Sequence, residues 1–304
     1  GGSNVAYVFP GQGSQWVGMG RDLYQSFPHA REVFEEADLT LDFSLSRLCF
    51  EGPETELQQT INAQPAILTV SAAYLRVLPE LFGEDAFSPP VFMAGHSLGE
   101  YSALLAAGVL NFADMVCVVR ERGQLMQQVG EKTGGGMVAI IGLEEAPLKE
   151  VCQETGTQIS NINCPGQIVV SGTRQDLIKA IDLARARGAH RTIPLRVSGA
   201  FHTPVMQPAA ESMSVFISDF TFRDPATPII ANTTAQPVTT ADEVRAEIIS
   251  QFCHPVYWQR SVENMIMAGV KTFIEIGPGR VLTGLIRRIS KEVQTRNIGC
   301  VPAT

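Results

Sequence analysis

The residues best suited to chemistry surround Ser97, because positions 95–99 read Gly-His-Ser-Leu-Gly. This stretch matches GxSxG, which places a nucleophilic serine on a sharp turn between a buried strand and a helix. A short apolar run at 91–94 precedes the motif, and an Ala- and Leu-rich stretch at 98–107 follows it. The free N–H groups at the start of such a helix can stabilise an oxyanion. We interpret Ser97 as a nucleophile; the alternative is a glycine-flanked serine that only caps a helix.

A serine nucleophile needs a base, and His202 is the best placed of the five histidines. It lies in the small-residue loop 198–204, whereas the others adjoin the serine, precede a proline or lie in polar stretches. Between Ser97 and His202 no acidic residue lies in a turn after a core strand, where a hydrolase triad would place one. We therefore expect a Ser-His dyad whose imidazole is held by an amide or a carbonyl, and Gln251 is a candidate for that support. The alternative is a solvated loop histidine.

Arg122 lies on an unexpected face of a predicted helix. Between 115 and 129 the apolar residues recur every three or four positions, and Arg122 falls inside their stripe, whereas Arg120 lies almost opposite. A buried cation is costly unless it is paired. Arg122 therefore forms either a buried salt bridge with a protein carboxylate or a bidentate contact with a substrate carboxylate near Ser97.

Alternating strands and helices predict an α/β fold with a parallel sheet covered by helices. Residues 5–9 form a β-rich run, 22–37 have helical spacing, 63–79 form an apolar helix, and 271–275 and 281–291 are a strand and a basic helix. We expect this part of the chain to form a hydrolase-like parallel-sheet core.

After the glycines at 134–136 the order of elements changes. The predicted strands lie at 137–141, 158–162, 167–170 and 191–195, and the predicted helices at 147–154 and 175–187. This βαββαβ order is typical of a ferredoxin-like unit. We expect a large α/β catalytic subdomain at 1–133 and 197–304, a small inserted subdomain at 134–196, and the site at their junction.

Composition narrows the classes of partner. The chain has 304 residues and a formal net charge of −8 at pH 7, which would repel nucleic acid. We find no uninterrupted apolar run of the ~20 residues that a membrane span requires. The six cysteines are scattered without a CxxC pair, so we expect reduced thiols, no disulfides and no metal site. We therefore expect a cytoplasmic protein with no membrane partner.

Six ordered motifs between about residues 5 and 290 resemble the malonyl-CoA:acyl carrier protein transacylases and the related acyltransferase domains of polyketide and fatty acid synthases. The motifs are Phe-Pro-Gly-Gln-Gly-Ser-Gln at 9–15, Gly-His-Ser-Leu-Gly-Glu at 95–100, Arg-Gly and Leu-Met within 122–126, Asn-Cys-Pro-Gly-Gln at 163–167, Gly-Ala-Phe-His at 199–202 and Ile-Gly-Pro-Gly at 276–279.

The resemblance implies catalytic roles at matching positions. Ser97 would carry the acyl group as an ester, and His202 would act as its base. Gln12 and the backbone N–H of Leu98 would form the oxyanion hole, and Gln251 would lie near the base.

The resemblance also implies how the substrate is selected. Arg122 would hold the malonyl carboxylate, and Asn163 would lie in a loop of the insert over the pocket. Phe201 would crowd an α-methyl branch, which predicts malonyl over methylmalonyl.

The implied reaction moves a malonyl group from malonyl-CoA to the phosphopantetheine thiol of an acyl carrier protein, with no cofactor. We expect a monomer that serves fatty acid or polyketide synthesis. One alternative is an acyl-thioester hydrolase with the same dyad, and another is a non-catalytic docking module. An arginine in the acyl pocket argues against a generic esterase.

An acidic carrier would need a local basic patch on this acidic protein. The first basic cluster comprises Arg185, Arg187, Arg191 and Arg196, and the second comprises Arg280, Arg287, Arg288 and Lys291. We expect one of them to bind the carrier; the alternative is that both are ordinary solvated faces.

Overall fold

Two β-sheets organise the chain in a computed structural model that describes residues 3–83 and 88–299. The strands are β1 Val5–Phe9, β2 Phe92–Gly95, β3 Gly136–Ile141, β4 Gln158–Cys164, β5 Gln167–Gly172, β6 Arg191–Pro194, β7 Ile229–Ile230, β8 Pro237–Val238, β9 Val256–Tyr257, β10 Thr272–Ile276 and β11 Gln294–Ile298. The helices are α1 Arg21–Ser26, α2 Pro28–Leu41, α3 Leu45–Glu51, α4 Glu54–Leu57, α5 Thr60–Phe82, α6 Gly99–Ala106, α7 Phe112–Thr133, α8 Glu145–Thr155, α9 Arg174–Ala186, α10 Gln207–Ile217, α11 Ala241–Gln251, α12 Trp258–Met267 and α13 Val281–Ile289.

The larger sheet has the strand order β11-β10-β1-β2-β7-β8 and is parallel except at the β7–β8 pair. All five residues of β1 are buried, as expected for the centre of a sheet covered on both faces. Strand β1 pairs with β2 so that Phe9 lies opposite Gly95. The carboxyl ends of these strands are therefore adjacent, which brings the loop after β1 to the turn that contains Ser97. The expected α/β class with a parallel-sheet core is confirmed.

Helices α2, α5 and α7 pack together over this sheet. Helix α5 is long and apolar enough to cross a membrane by length and composition, but more than half of that stretch is buried inside the protein. It is therefore a core helix, and its two internal prolines, Pro65 and Pro79, do not end it.

The helical pattern predicted across residues 22–37 is wrong as a single helix. The chain forms α1 and α2 instead, because Phe27 between them is extended, with φ −127° and ψ 112°. Proline disfavours the α region for the residue before it, and Pro28 then starts α2 at its first position.

The smaller sheet has the order β6-β3-β5-β4-β9. Its βαββαβ element order and central antiparallel pairing are those of the ferredoxin-like unit expected from the sequence. Strand β9 comes from much later in the chain and adds to the edge in parallel, with Val256 opposite Asn161. The smaller sheet is thereby tied to the segment that follows Gln251.

Within residues 3–83 and 88–299 all five cysteines are free thiols. Over the same ranges, no group of three or more His, Cys, Asp or Glu side chains is arranged to hold a metal ion. The expectation for the sixth cysteine, Cys300, concerns a position outside the described residues.

Candidate active site

Ser97 lies on a strained turn between β2 and α6. Its φ is +54°, a left-handed conformation that costs a non-glycine residue energy and persists only where the surroundings enforce it. A Cβ at Gly95 would lie 1.9 Å from the carbonyl oxygen of Gly99, and a Cβ at Gly99 would lie 2.0 Å from that of Phe9. Both motif glycines are therefore required because backbone passes where a side chain would lie.

The loop after β1 packs directly on this turn. A Cβ at Gly11 would lie 2.2 Å from the carbonyl oxygen of His96, so only glycine allows the loop to approach so closely. The next residue, Gln12, donates its side-chain amide to Oγ1 of Thr60 at 3.0 Å. Leu98 is the N-cap of α6, and its N–H belongs to the helix start, where amides lack intrahelical acceptors.

His202 lies beside the serine, with Nε2 2.8 Å from Oγ of Ser97. Its Nδ1 donates to the backbone carbonyl of Gln251 at 2.8 Å; a carbonyl only accepts, so the neutral ring carries its proton on Nδ1 and leaves Nε2 to accept from the serine. Burial, and then the charge of Arg122, lower the pKa of His202 to about 3. The imidazole is therefore neutral at physiological pH.

Arg122 is 1% exposed and points into the same pocket. Helix α7, capped by the Asn111 side chain, carries it there. One guanidinium nitrogen donates to Oε1 of Gln64 at 2.7 Å; the other donates to Oε1 of Gln251 at 2.7 Å and to Oγ of Ser97 at 3.2 Å.

No carboxylate pairs with Arg122 among the described side chains, although a protein salt bridge was one of the two predicted alternatives. Its Nε also lacks a hydrogen-bond partner within that part of the chain. Burial lowers the pKa of Arg122, and the neighbouring Tyr101 and Glu100 partly oppose this shift. A buried cation whose hydrogen bonds all go to neutral oxygens is suited to bind an anionic group of a ligand.

Gln251 contacts the site in two ways. Its backbone carbonyl orients His202, while its side chain accepts from Arg122 and donates to the backbone carbonyl of Ser97 at 3.0 Å. The residue expected near the base therefore reaches the base through its main chain and the cation through its side chain.

Asn163 lies in β4, so its predicted placement in a loop is wrong. The strand continues through Cys164 because β5 pairs with it as far as that residue. The side-chain oxygen of Asn163 lies 2.7 Å from Nε2 of His96. Asn163 therefore reaches the serine turn through the neighbouring histidine.

Phe201 is buried and shapes the approach to the site. A Cβ at Gly199 would lie 2.6 Å from its ring, so this glycine makes room for the phenyl group. The ring borders a cavity of about 210 Å³ that Thr60 and Gln127 also line. A second cavity of about 390 Å³ is lined by Gln12 and Trp16 and shares Gln58, Arg196 and Val197 with the first.

Sequence reasoning missed two buried polar residues of the site, Gln64 and Asn232. Gln64 accepts from Arg122 and is a polar residue within the apolar stretch of α5, the same kind of signal that singled out Arg122. Asn232 accepts from the N–H of Ser97 at 2.8 Å. It follows the two-residue strand β7, and no motif marks it.

The two basic clusters differ in their pairing. In the first, Arg187 pairs with Glu150 and Glu154, and Arg196 pairs with Glu54. In the second, Arg287 donates to Thr295 and Arg288 to Gln167, which are neutral partners.

The second cluster contacts segments that adjoin site residues in sequence. Arg288 reaches Gln167, which starts the strand after Asn163 and Cys164. At the other end of the cluster, Gly279 lies beside Ser14 in the Gln12 loop.

Comparisons with known proteins agree with this arrangement. The family model described as "Acyl transferase domain" matches residues 6–301. The malonyl CoA-acyl carrier protein transacylase of Bacillus subtilis (strain 168) is 46% identical over 298 residues, which cover 96% of this chain and 92% of that protein.

Solved structures show the same likeness. The crystal structure of an acyl carrier protein S-malonyltransferase from Vibrio cholerae has a TM-score of 0.93 at 39% identity, covering 98% of both chains. A type II PKS malonyl-transacylase solved in complex with its acyl-carrier protein also has a TM-score of 0.93 at 39% identity, covering 98% of this chain and 97% of that one.

Proposed function

The chain belongs to the acyl transferase family, and from that premise we propose that it moves a malonyl group from malonyl-CoA to the phosphopantetheine thiol of an acyl carrier protein through an ester on Ser97. One observation carries the proposal: two side chains contact Oγ of Ser97. The neutral imidazole of His202 lies 2.8 Å from it, and the buried guanidinium of Arg122, which has no carboxylate partner among the described side chains, lies 3.2 Å from it. The histidine suits acyl transfer, and the arginine suits an acyl group that ends in a carboxylate.

In the first step Oγ of Ser97 attacks the thioester carbonyl carbon while Nε2 of His202 takes the hydroxyl proton. The resulting oxyanion receives hydrogen bonds from the backbone N–H groups of Leu98 and Gln12; the Gln12 side chain is directed to Thr60. The carbon–sulfur bond then breaks, and the imidazolium returns its proton to the departing CoA thiol.

The second step repeats this chemistry with the carrier. His202 takes the proton of the pantetheine thiol, its sulfur attacks the malonyl ester, and the Ser97 oxygen leaves with that proton. Arg122 holds the malonyl carboxylate through both steps, because its guanidinium contacts Oγ of the serine that carries the acyl group.

Asn163 and Phe201 line the substrate side in this proposal. Asn163 holds His96 in place beside the serine, and the buried Phe201 ring limits room for an α-methyl branch. Malonyl-CoA is the donor, and no cofactor takes part.

We also propose that the two subdomains contribute different residues to the site. The large subdomain, 1–133 and 197–304, supplies Ser97, His202, Arg122 and Gln251, while the small subdomain, 134–196, supplies Asn163. Since one chain supplies all of these groups, we propose that the enzyme acts as a monomer. We also propose that it acts in the cytoplasm.

The test is to incubate the chain with malonyl-CoA, identify the modified residue by mass spectrometry, and then add a carrier protein. We expect a malonyl group on Ser97 that passes to the carrier thiol, and no adduct in Ser97→Ala. Rapid release of free malonate without a carrier would instead support the thioester hydrolase. Failure to form any adduct would support a non-catalytic docking module.

A further inference from the structure

A buried polar network lies beneath the Ser97 turn and includes groups that the transfer steps do not use. At its centre is Asn232, which is 0% exposed. Its Oδ1 accepts from the N–H of Ser97 at 2.8 Å and from the side-chain amide of Gln251 at 3.1 Å. Its Nδ2 donates to the carbonyl oxygen of Gly95 at 2.7 Å. The side chain is therefore bonded to the turn on both sides of His96.

A side-chain amide matches this pair of partners. The turn presents a donor at Ser97 and an acceptor at Gly95, and an amide supplies one acceptor and one donor at a fixed separation. The φ of +54° at Ser97 is a conformation that the surroundings must impose. Asn232 contacts the turn at the serine's own N–H and so limits how far the serine backbone can rotate.

The main chain of Asn232 is anchored as firmly as its side chain. Its N–H donates to Oε2 of Glu100 at 2.9 Å, and its carbonyl accepts from the N–H of Tyr257 in β9 at 2.9 Å. Glu100 is itself fully buried and also accepts from the Gln251 amide at 3.1 Å. The Asn232 backbone is thus held between a buried carboxyl group and the edge strand of the smaller sheet.

Glu100 interacts with a second acid, Glu247, which accepts from the hydroxyl and N–H of Thr233 next to Asn232. Burial, and then the neighbouring Glu247, raise the pKa of Glu100 well above its usual range. Both effects favour the neutral form of Glu100, whose Oε2 accepts from the N–H of Asn232.

We propose that Asn232 is a positioning residue for the transfer reaction, which holds the Ser97 turn in its reactive conformation while Glu100 holds Asn232. This inference rests on the proposed function, because it assigns Asn232 to the nucleophile of that reaction. Asn232 does not touch the acyl group; it acts through the serine backbone. Its loss is expected to slow acylation more than it weakens substrate binding.

The test compares Asn232→Ala with Asn264→Ala. Asn264 donates to the carbonyl oxygen of Ala235, so it supports the same loop after β7 without touching the serine turn. The rate constant for Ser97 acylation at saturating malonyl-CoA, the KM for malonyl-CoA and the thermal midpoint are measured for each variant. A displacement of about 1 Å can cost about 10²-fold in rate.

We expect Asn232→Ala to lose about 10²-fold in acylation rate with KM changed less than about threefold, and Asn264→Ala to keep its rate even where its thermal midpoint falls. Equal acylation rates in the two variants would overturn the proposal. If Asn232→Ala does not fold, Glu100→Ala decides, because it removes the acceptor of the Asn232 N–H: a lower acylation rate at unchanged KM supports the proposal, and an unchanged rate overturns it. An unmodified wild-type Ser97 would be a failure of the proposed function, whereas a reactive wild type with unaffected variants would be a failure of this inference alone.

Discussion

The guanidinium of Arg122 donates to Oγ of Ser97 over 3.2 Å, so the cation of the pocket and its nucleophile are in direct contact. A single malonyl group could therefore place its carboxylate on Arg122 and its thioester carbon at Ser97. The contact between Arg122 and Ser97 therefore determines both where the malonyl carboxylate binds and where its thioester is attacked.

Replacing Arg122 with alanine is expected to lower kcat/KM for malonyl-CoA about 10- to 100-fold, because a charge-assisted hydrogen bond contributes about 1.5–3 kcal/mol. Acetyl-CoA lacks the carboxylate, so its transfer should not fall in parallel. Steady-state kinetics with both donors provide the measurement. Equal losses for both would show that Arg122 supports the site without selecting the substrate.

Replacing Gln251 with alanine separates the two roles of this residue. The backbone carbonyl that orients His202 remains, whereas the side chain that holds Arg122 at 2.7 Å and donates to the backbone carbonyl of Ser97 at 3.0 Å is lost. We expect an increase of about 10-fold in the KM for malonyl-CoA, equivalent to about 1.4 kcal/mol, with Ser97 still reactive toward a neutral fluorophosphonate. His202→Ala is the matched contrast and should abolish that reactivity.

In a plot of reaction rate against pH, the fall in rate on the acidic side should lie far below the usual titration range of histidine. The pKa of His202 is lowered to about 3, so the imidazole remains the neutral base as the pH falls from 8 to 5. The rate of Ser97 modification by a neutral fluorophosphonate, measured across this range, should stay level. An inflection near pH 6.5 would contradict this description of the dyad.

Phe201→Ser is expected to raise the ratio of methylmalonyl to malonyl transfer by about 10-fold or more, since one methyl group in a fitted pocket is worth about 1–3 kcal/mol. The buried ring provides the bulk that the substitution removes. A competition assay with the two CoA esters measures the ratio. If wild type transfers both at similar rates, Phe201 does not select against the branch.

Carrier binding is expected to depend on the second basic cluster more than on the first. Arg187 and Arg196 of the first cluster already pair with glutamates, whereas Arg287 and Arg288 of the second have neutral partners. Reversing the charges of Arg287 and Arg288 should raise the carrier's apparent KM about 10-fold, with self-acylation by malonyl-CoA unchanged.

The same reversal at Arg187 and Arg196 is the comparison, since these are the residues of the first cluster that pair with glutamates. No change in the carrier's apparent KM with either pair of variants would refute docking at both clusters.

The sequence could predict those site residues whose type is energetically costly or rare in the predicted local structure. A glycine-flanked serine between strand and helix and an arginine in an apolar stripe both carry that mark. Asn232 does not, since an asparagine after a short strand is ordinary until the fold brings it below Ser97. Its role depends on the β2–β7 pairing, which joins segments about 135 residues apart.

The fold likewise has features that local sequence predicts and features that it does not. Strand and helix order predicted both sheets, because apolar periodicity is local information. The addition of β9 to the smaller sheet was not predictable, since a two-residue strand has no periodicity to detect.

The contacts that His202, Asn232 and Gln251 make with the Ser97 turn also bear on how the chain becomes active as it is made. Synthesis proceeds from the N-terminus, and the serine emerges long before His202, Asn232 and Gln251. Until those segments have folded onto the turn, the serine lacks its base and the contacts that impose its backbone conformation. Ser97 therefore gains its base and these contacts only when the segment from residue 202 onward has joined the first third of the molecule.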